Sequence, residues 1–177
     1  MLVARLNTGE GLVTGRSRCD ACSAPLAPSA LVPIISFFVN SGRARCCGAR
    51  ISPVAPLSEL LLGGLFVLSY FSLGLTLSLP PFLLSLSLLL ALVLYDFAHQ
   101  ILPSSLLTVF VATSAITGFS LAPSTSAFFS SIITALLISA FLALVHFVSR
   151  GRAMGLADTP LVFGLSLLVG QSALPGF

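Results

Sequence analysis

Long runs of apolar residues alternate with short polar or proline-containing breaks along the chain after residue 56. A helix needs about 20 mostly apolar residues to cross the hydrocarbon core of a bilayer, and these runs approach that length. The pattern predicts five spans, which are A (57–79), B (82–97), C (102–121), D (127–149) and E (159–174). We expect Pro80-Pro81 to form the turn between spans A and B, and Pro103 to lie in the first turn of span C. The sequence therefore predicts an all-α, polytopic membrane protein with about five transmembrane helices.

Residues 1–56 have a different character from the rest of the chain. They hold all four cysteines, six of the eight arginines, and many glycine and proline residues that favour turns. The apolar stretch at residues 30–39 is too short to cross a bilayer. We expect residues 1–56 to form a small cysteine-bearing cytoplasmic domain and residues 57–177 to form the transmembrane domain.

Composition limits the class of protein. The chain is 56% hydrophobic and only 7% charged, with a mean hydropathy of +1.10. Soluble globular domains carry about 25% charged residues, so this chain has too little polar surface to face water on all sides. Its expected surroundings are a lipid bilayer. No basic stripe interleaved with aromatic residues is present, so a nucleic-acid partner is not expected.

The distribution of arginine predicts the orientation of the spans. Cytoplasmic loops carry an excess of positive residues, and the arginine-rich head therefore places residues 1–56 inside. The five spans then alternate in direction, which puts the loop with Arg150 and Arg152 inside as well. In this arrangement Asp96, at the inner end of span B, and Asp158, just before span E, lie at the same depth near the cytoplasmic face.

Asp96 and Asp158 are two of only five acidic residues, and each stands next to apolar sequence where a carboxylate is costly. Two carboxylates that share a site cannot both ionise easily. The charged member can then activate a water, while the protonated member donates to the carbonyl or the leaving amine. Each acid also has a structural interpretation: Asp158 as the N-cap of span E, and Asp96 as an interfacial acid that caps span C.

The four cysteines form two pairs, Cys19 with Cys22 and Cys46 with Cys47. Two such pairs that flank a short segment are typical of a zinc site in which four thiolates surround one tetrahedral ion. The second pair is C-C in place of C-x-x-C, so we expect a strained local backbone if both sulfurs reach one ion. The alternative is that one or two of these cysteines are ordinary buried thiols.

Several stretches together resemble the type IV prepilin leader peptidases, which are bacterial inner-membrane aspartyl proteases. The stretches are Arg16-Ser17-Arg18-Cys19-Asp20-Ala21-Cys22, Gly42-Arg43-Ala44-Arg45-Cys46-Cys47-Gly48 with Pro56-Leu57-Ser58-Glu59-Leu60, Asp96 with Leu102-Pro103, and Gly155-Leu156-Ala157-Asp158. They occur in the family's order and cover most of residues 5–170. The last stretch is similar to the family's G-x-G-D motif.

The resemblance implies cleavage of the positively charged leader from type IV prepilins or type II secretion pseudopilins, on the cytoplasmic side of the inner membrane. It implies that Asp96 and Asp158 are the catalytic pair. Many members of this family also methylate the new N-terminus with S-adenosylmethionine, and the cysteine-bearing domain accompanies that bifunctional form. Cys19, Cys22 and Cys47 match three of the four family cysteines. At the position of the fourth family cysteine this chain has Ala44, and Cys46 lies two residues later.

Other departures from the family pattern define two alternatives. Ala157 replaces the second glycine of G-x-G-D, where a methyl group could crowd the backbone, and Ser104 and Thr159-Pro160 replace charged residues. Compared with the family pattern, the chain begins near the end of the first membrane helix and stops before the last one. This is what we expect of a fragment, a mis-assigned start or a degenerate paralogue. One alternative is therefore a degenerate homologue that binds pilin precursors without cutting them. Another is a small transporter, which would place its acids deeper in the membrane.

Overall fold

In the computed structural model, the described residues are Cys19, 21–25, 33–152 and 155–169. Within these ranges the secondary structure is helical and no strand is present; Arg43 and Arg50 form an isolated β-bridge. The helices are α1 (Pro33–Val39), α2 (Val54–Leu73), α3 (Leu79–His99), α4 (Ser104–Leu121), α5 (Thr125–Val148) and α6 (Asp158–Val169). The all-α prediction is confirmed.

Helices α2 to α5 are long and apolar enough to cross a membrane, and they correspond to predicted spans A to D. The predicted span E corresponds to α6, an apolar helix of 12 residues whose last residue is also the last one described. The described part of the chain therefore contains four helices that are long and apolar enough to cross a membrane, and α6 is shorter than a full span there.

The boundary between spans A and B was predicted wrongly. Helix α2 ends at Leu73, where Gly74 takes a φ of +62°, and Leu79 already belongs to α3. Pro80 and Pro81 lie in the first turn of α3 and not in the turn before it. Proline fits there because the first N–H groups of a helix have no intrahelical partner to lose. Pro103 shows a smaller deviation, since it is the N-cap residue directly before α4.

The chain divides into two compact units, Met1–Leu68 and Ser69–Phe177. In the second unit α4 packs against α3 and α6, and α6 also packs against α5. Leu92, Leu107, Phe110 and Leu168 form its buried core, with contributions from α3, α4 and α6. We call helices α3 to α6 the helix bundle.

Close contacts between small and large residues hold α4 against α6. A methyl group added to Gly164 of α6 would lie 2.6 Å from the ring of Phe110, which is fully buried on α4. A methyl group on Gly118 of α4 would lie 3.1 Å from the carbonyl oxygen of Leu167. Helices in lipid associate through such close packing, because lipid tails are as apolar as leucine and give no hydrophobic drive.

A buried hydroxyl pair links α3 to α4. The oxygens of Ser85 and Thr117 are 3.3 Å apart, and both side chains are fully buried. Each hydroxyl can also donate within its own helix, Ser85 to the carbonyl of Pro81 and Thr117 to that of Thr113. The hydrogen bond between the helices therefore competes with bonds inside them.

The first unit contains a short hairpin, residues 42–51, which we call the arginine hairpin. The amide of Ile51 donates to the carbonyl of Gly42, and the amide of Ala44 donates to that of Ala49, each over 2.8 Å. The hairpin follows α1 directly, and the amide of Gly42 donates to the carbonyl of Phe37 in that helix. The carboxylate of Glu59, on α2, accepts from the amide of Ile34 over 3.4 Å. These bonds join the hairpin to α1 and α1 to the start of α2.

Candidate active site and cysteine cluster

Asp96 lies in the last turn of α3, and its side chain is exposed. The helix ends four residues later, where Gln100 takes a left-handed φ of +53° and its amide donates to the carbonyl of Asp96 over 2.7 Å. The neighbouring Tyr95 is buried, and its ring centre is 4.6 Å from that of His99. The packed Tyr95 fixes this turn of the helix, and the carboxylate of Asp96 projects from it into the surroundings.

Asp158 is the first residue of α6 and is half-buried. Its Oδ2 atom accepts a hydrogen bond from the amide of Gly155 over 3.0 Å. This is the geometry in which an acid in the first turn of a helix reaches back to an amide three residues earlier. The carboxylate is therefore held in place by the backbone, a role that sequence reasoning did not assign to Gly155.

In the stretch Gly155-Leu156-Ala157-Asp158, the residue at which a methyl group would crowd the carboxylate differs from the prediction, which was Ala157. Neither Gly155 nor Ala157 takes a positive φ, and the methyl group of Ala157 packs against the buried core of the bundle. A methyl group at Gly155, in contrast, would lie 3.3 Å from Oδ2 of Asp158. The position at which a side chain would crowd the carboxylate is thus Gly155, and Ala157 is compatible with the local fold.

The two aspartates lie at the same end of the helix bundle. Residues 100–103 join the end of α3, with Asp96, to the start of α4, and α4 packs against α6, which begins at Asp158. Leu92, one turn before Asp96, and Leu161, one turn after Asp158, contribute to the same apolar cluster. In the described ranges no hydrogen bond joins the two carboxylates. Both acids are at helix ends, whereas a proton-relaying transporter was expected to place them deeper.

The four cysteines predicted as ligands come together in space. The Sγ atoms of Cys19, Cys22, Cys46 and Cys47 all lie within 4.8 Å of one another, and we call this group the cysteine cluster. The Sγ–Sγ distances are 3.2 Å between Cys22 and Cys46, and 3.8 Å both between Cys19 and Cys47 and between Cys46 and Cys47. Four thiolates bound to one zinc ion at about 2.3 Å would be about 3.8 Å apart. The donor set therefore fits a tetrahedral metal ion.

The expected backbone strain at the adjacent cysteines is absent. Neither Cys46 nor Cys47 takes a positive φ; Gly48 adopts the left-handed conformation, at +70°, that closes the turn. Glycine adopts this conformation without steric cost. Cys46 can therefore join the cluster although Ala44 stands at the position where the family pattern has a cysteine.

Hydrogen bonds within the cluster shift the thiols in opposite directions. The backbone amides of Ala21 and then Cys22 lower the pKa of Cys19 to about 7, because they stabilise its thiolate. Hydrogen bonds with Cys22 and then Cys19 raise the pKa of Cys46 to about 12. The Cys19 thiolate thus forms readily, while the raised pKa values of Cys46 and Cys47 favour their protonated forms. A bound cation would displace the remaining protons, as thiolate metal sites require.

Comparison with known proteins gives one family. Residues 1–73 match the family described as the bacterial peptidase A24 N-terminal domain. Over 171 residues the chain is 33% identical to the prepilin leader peptidase/N-methyltransferase of Klebsiella pneumoniae, covering 94% of this chain and 74% of the relative.

Proteins with the same name in two other bacteria match shorter regions. The Bacillus subtilis protein is 33% identical over 100 residues, which is 56% of this chain and 40% of the relative. The Myxococcus xanthus protein is 39% identical over 106 residues, which is 60% of this chain and 32% of the relative. In these two comparisons the match spans less than half of the relative. No solved structure gives a significant match.

Proposed function

Since the chain belongs to the family of prepilin leader peptidase/N-methyltransferases, we propose that it is a membrane aspartic endopeptidase that cleaves the leader of type IV prepilins or type II secretion pseudopilins. The observation that carries the proposal is the position of Asp96 and Asp158 at the same end of the helix bundle, on helices that contribute to one apolar cluster. An acid on each of two neighbouring elements is the arrangement that a carboxylate pair needs.

The proposed reaction uses the two carboxylates and a water molecule. One carboxylate removes a proton from the water, whose oxygen attacks the carbonyl carbon of the scissile peptide bond. The other, protonated carboxyl group gives its proton to the leaving amine as the carbon–nitrogen bond breaks. The amide of Gly155 holds one oxygen of Asp158 and leaves its Oδ1 available for this exchange. Binding of substrate would bring Asp96, which is exposed and free to rotate, towards Asp158.

The proposed location is the bacterial inner membrane, with the aspartates and residues 1–56 on the cytoplasmic side. Four helices that are long and apolar enough to cross a bilayer support the membrane assignment. The arginines before residue 51, together with Arg150 and Arg152, support the orientation. A prepilin or pseudopilin precursor, inserted in the same bilayer, would present its leader junction at this face.

We further propose that Cys19, Cys22, Cys46 and Cys47 hold a zinc ion with a structural role. The distances between their sulfur atoms support this assignment. The ion would supply no chemistry to peptide hydrolysis. It would cross-link the turn at Cys19 and Cys22 to the arginine hairpin.

Methylation of the new N-terminus is a second candidate activity, and the gathered cysteine cluster favours it because the cysteine-bearing domain accompanies the bifunctional form of the family. The methyl donor would be S-adenosylmethionine. Its sulfonium is cationic, whereas the open groove of about 560 Å³ in the described region is lined by Val148, Ser149, Arg150 and Arg152. The two guanidinium groups can pair with its carboxylate but repel its sulfonium, and no acid lines this groove, so we assign no residue to the methyl donor.

The test of the peptidase is leader cleavage of a co-expressed prepilin, followed by gel shift in membranes. The wild type should shorten the precursor, and Asp96→Asn and Asp158→Asn should not. Glu59→Gln is the matched control, since Glu59 is an acid outside the pair whose contact is the amide of Ile34. If the inserted wild type leaves the precursor uncut but binds it, the chain is a non-catalytic precursor-binding homologue, and the peptidase proposal is wrong.

A further inference from the structure

Two arginines face each other across the stem of the arginine hairpin. Arg43 and Arg50 form the antiparallel β-bridge, and the bonds that flank them run from Ile51 to Gly42 and from Ala44 to Ala49. This pattern makes Arg43 and Arg50 a non-hydrogen-bonded pair, the type in which facing residues are closest and their side chains leave the same face. Both side chains are exposed. Two guanidinium groups are therefore presented side by side.

This pairing is unfavourable without an anion. Like charges directly opposite each other on neighbouring strands destabilise the pair. No ion pair with a carboxylate compensates Arg43 or Arg50 within the described ranges, where the nearest acid in sequence is Glu59, which is engaged with the amide of Ile34. Arg45, in the turn of the same hairpin, donates from Nε to Oδ1 of Asn40 over 2.6 Å and adds to the positive charge. An anion between Arg43 and Arg50 would remove the repulsion.

The position of the pair in the chain indicates which anion is available. Arg50 is four residues before Val54, the first residue of a helix long and apolar enough to cross a membrane. Four residues span at most about 14 Å, so the hairpin cannot leave the vicinity of that helix end. The polar headgroup layer, which adds about 5–8 Å on each side of the hydrocarbon core, lies within this reach. Lipid phosphate is therefore the anion that meets the pair at highest local concentration.

Helix α1, which is bonded to the same hairpin, has the side chains for an interfacial position. Ile35, Phe38 and Val39 are 61%, 74% and 63% exposed. Gly42, the first residue of the arginine hairpin, lies against the ring of Phe37 in this helix. Apolar side chains next to cationic ones are typical of segments that lie in the membrane interface, where the apolar groups enter the acyl boundary and the cations meet anionic headgroups.

We propose that Arg43 and Arg50 form a clamp for the phosphate of an anionic lipid headgroup, with phosphatidylglycerol as the class of ligand. Guanidinium groups bind phosphate oxygens through paired N–H donors, so two of them can hold one phosphate from two sides. The clamp would fix the arginine hairpin, and the cysteine cluster in its turn, against the membrane surface. This role is independent of the peptidase activity.

The experiment measures lipid binding to the full chain in neutral detergent by native mass spectrometry. Phosphatidylglycerol is titrated against phosphatidylcholine with the same acyl chains. The wild type should prefer phosphatidylglycerol, and Arg43→Gln/Arg50→Gln should weaken that binding by roughly 25-fold, at about fivefold for each arginine, because each loses its charge-assisted hydrogen bonds to the phosphate. Arg43→Lys/Arg50→Lys keeps both charges but loses the paired donors, so its affinity for phosphatidylglycerol should lie between those of the wild type and the glutamine variant. It replaces the glutamine variant in the test if that variant does not fold.

Arg150→Gln/Arg152→Gln is the charge-matched control, because it removes two exposed arginines at another site. Its phosphatidylglycerol binding should stay within about twofold of wild type, since in the described structure Arg150 and Arg152 do not face each other across a β-bridge and exposed single arginines contribute little. Equal losses in the two glutamine variants would show that net charge alone attracts the lipid and would overturn the clamp. Displacement of the lipid by an equal concentration of inorganic phosphate would overturn the lipid as the ligand, and so would a wild type without headgroup preference.

Discussion

The cysteine-bearing unit, by which we mean the residues before α2, and the helix bundle are stabilised by different interactions, because they are built for different solvents. In the described residues before α2 no large apolar side chain is buried, and three of the four clustered cysteines are exposed. In the bundle, contacts such as Gly164 with Phe110 bring helices together while large apolar side chains remain on the outside. A small polar unit without a core needs a cross-link. Helices in lipid need close packing and satisfied hydroxyls instead.

Among the changes considered, removal of the metal should have the largest effect, because it should destabilise the cysteine-bearing unit and leave the helix bundle unchanged. Cys46→Ser, or treatment with a strong chelator, should lower bound zinc from about one ion per chain to near zero and expose the cysteine-bearing unit to protease, because structural zinc supplies folding free energy outright. The bundle should keep its thermal unfolding temperature. Zinc content by mass spectrometry and limited proteolysis on the same sample measure both.

A matched control for the metal is Ser41→Ala, a change in the residue directly before the arginine hairpin that removes no ligand. It should retain zinc. If Cys46→Ser retains zinc as well, Cys46 is not a ligand. Cys46 then does not substitute for the cysteine that the family pattern has at position 44.

Gly164→Ala should destabilise the bundle next most strongly. The added methyl would lie 2.6 Å from the buried Phe110 ring, which has no free space to move into. Overpacking of this kind costs about 1–3 kcal/mol of unfolding free energy. Gly63→Ala is the matched control, since nothing lies within 4 Å of the added methyl on α2. Thermal unfolding in detergent should show a loss for Gly164→Ala and none for Gly63→Ala; equal losses would contradict the packing assigned to α4 and α6.

At the candidate active site, Gly155→Ala should slow leader cleavage by roughly tenfold, because a displaced catalytic group loses its alignment with the substrate. The new methyl would press on the Asp158 carboxylate from 3.3 Å. Ala157→Gly, in contrast, should change the cleavage rate by less than about twofold and cost at most about 1 kcal/mol of stability. Initial cleavage rates at equal protein levels measure both. The opposite order would mean that Ala157, and not Gly155, crowds the carboxylate.

The smallest expected effect is at the hydroxyl pair between α3 and α4. Ser85→Ala and Thr117→Val, made singly and together, should reveal a coupling of about 0.6 kcal/mol, the usual strength of such bonds between membrane helices. Ser114→Ala is the control, since the Ser114 hydroxyl is buried with no hydrogen-bond partner among the described residues and its loss should not destabilise. Unfolding midpoints in denaturant measure the stability of each variant. If Ser114→Ala lowers the stability as much as Ser85→Ala, the hydrogen bond between Ser85 and Thr117 does not contribute the expected coupling.

The sequence was sufficient for the parts of the fold that depend on local composition. Span D, predicted at 127–149, corresponds to α5 at Thr125–Val148, because its apolar run ends at a serine cap on one side and at Arg150 on the other. The end of α2 was missed, since Leu75 and Leu77 continue the apolar run and only the backbone of Gly74 stops the helix. Hydropathy does not register a left-handed residue.

Contacts between distant residues could be predicted only where chemistry demanded them. The four cysteines were expected to meet because thiolates share metal ions, and their sulfurs do cluster. The facing of Arg43 and Arg50 was missed, although their equal spacing around the Cys46-Cys47 turn was a signal for it. The hydrogen bond from the Gly155 amide to Asp158 and the contact of Gly164 with Phe110 depend on the backbone conformation and on helix packing. Short sequence motifs do not predict either of them.

The central proposal is that Asp96 and Asp158 act as one catalytic unit, and single-turnover leader cleavage tests it most directly. Wild type, Asp96→Asn, Asp158→Asn and the double variant would be compared in membranes at equal protein levels. Residues that act together are not additive, so each single variant should lose at least about a thousandfold in rate and the double variant should lose no more. Substantial cleavage by either single variant, or independent losses that multiply in the double variant, would contradict a shared dyad.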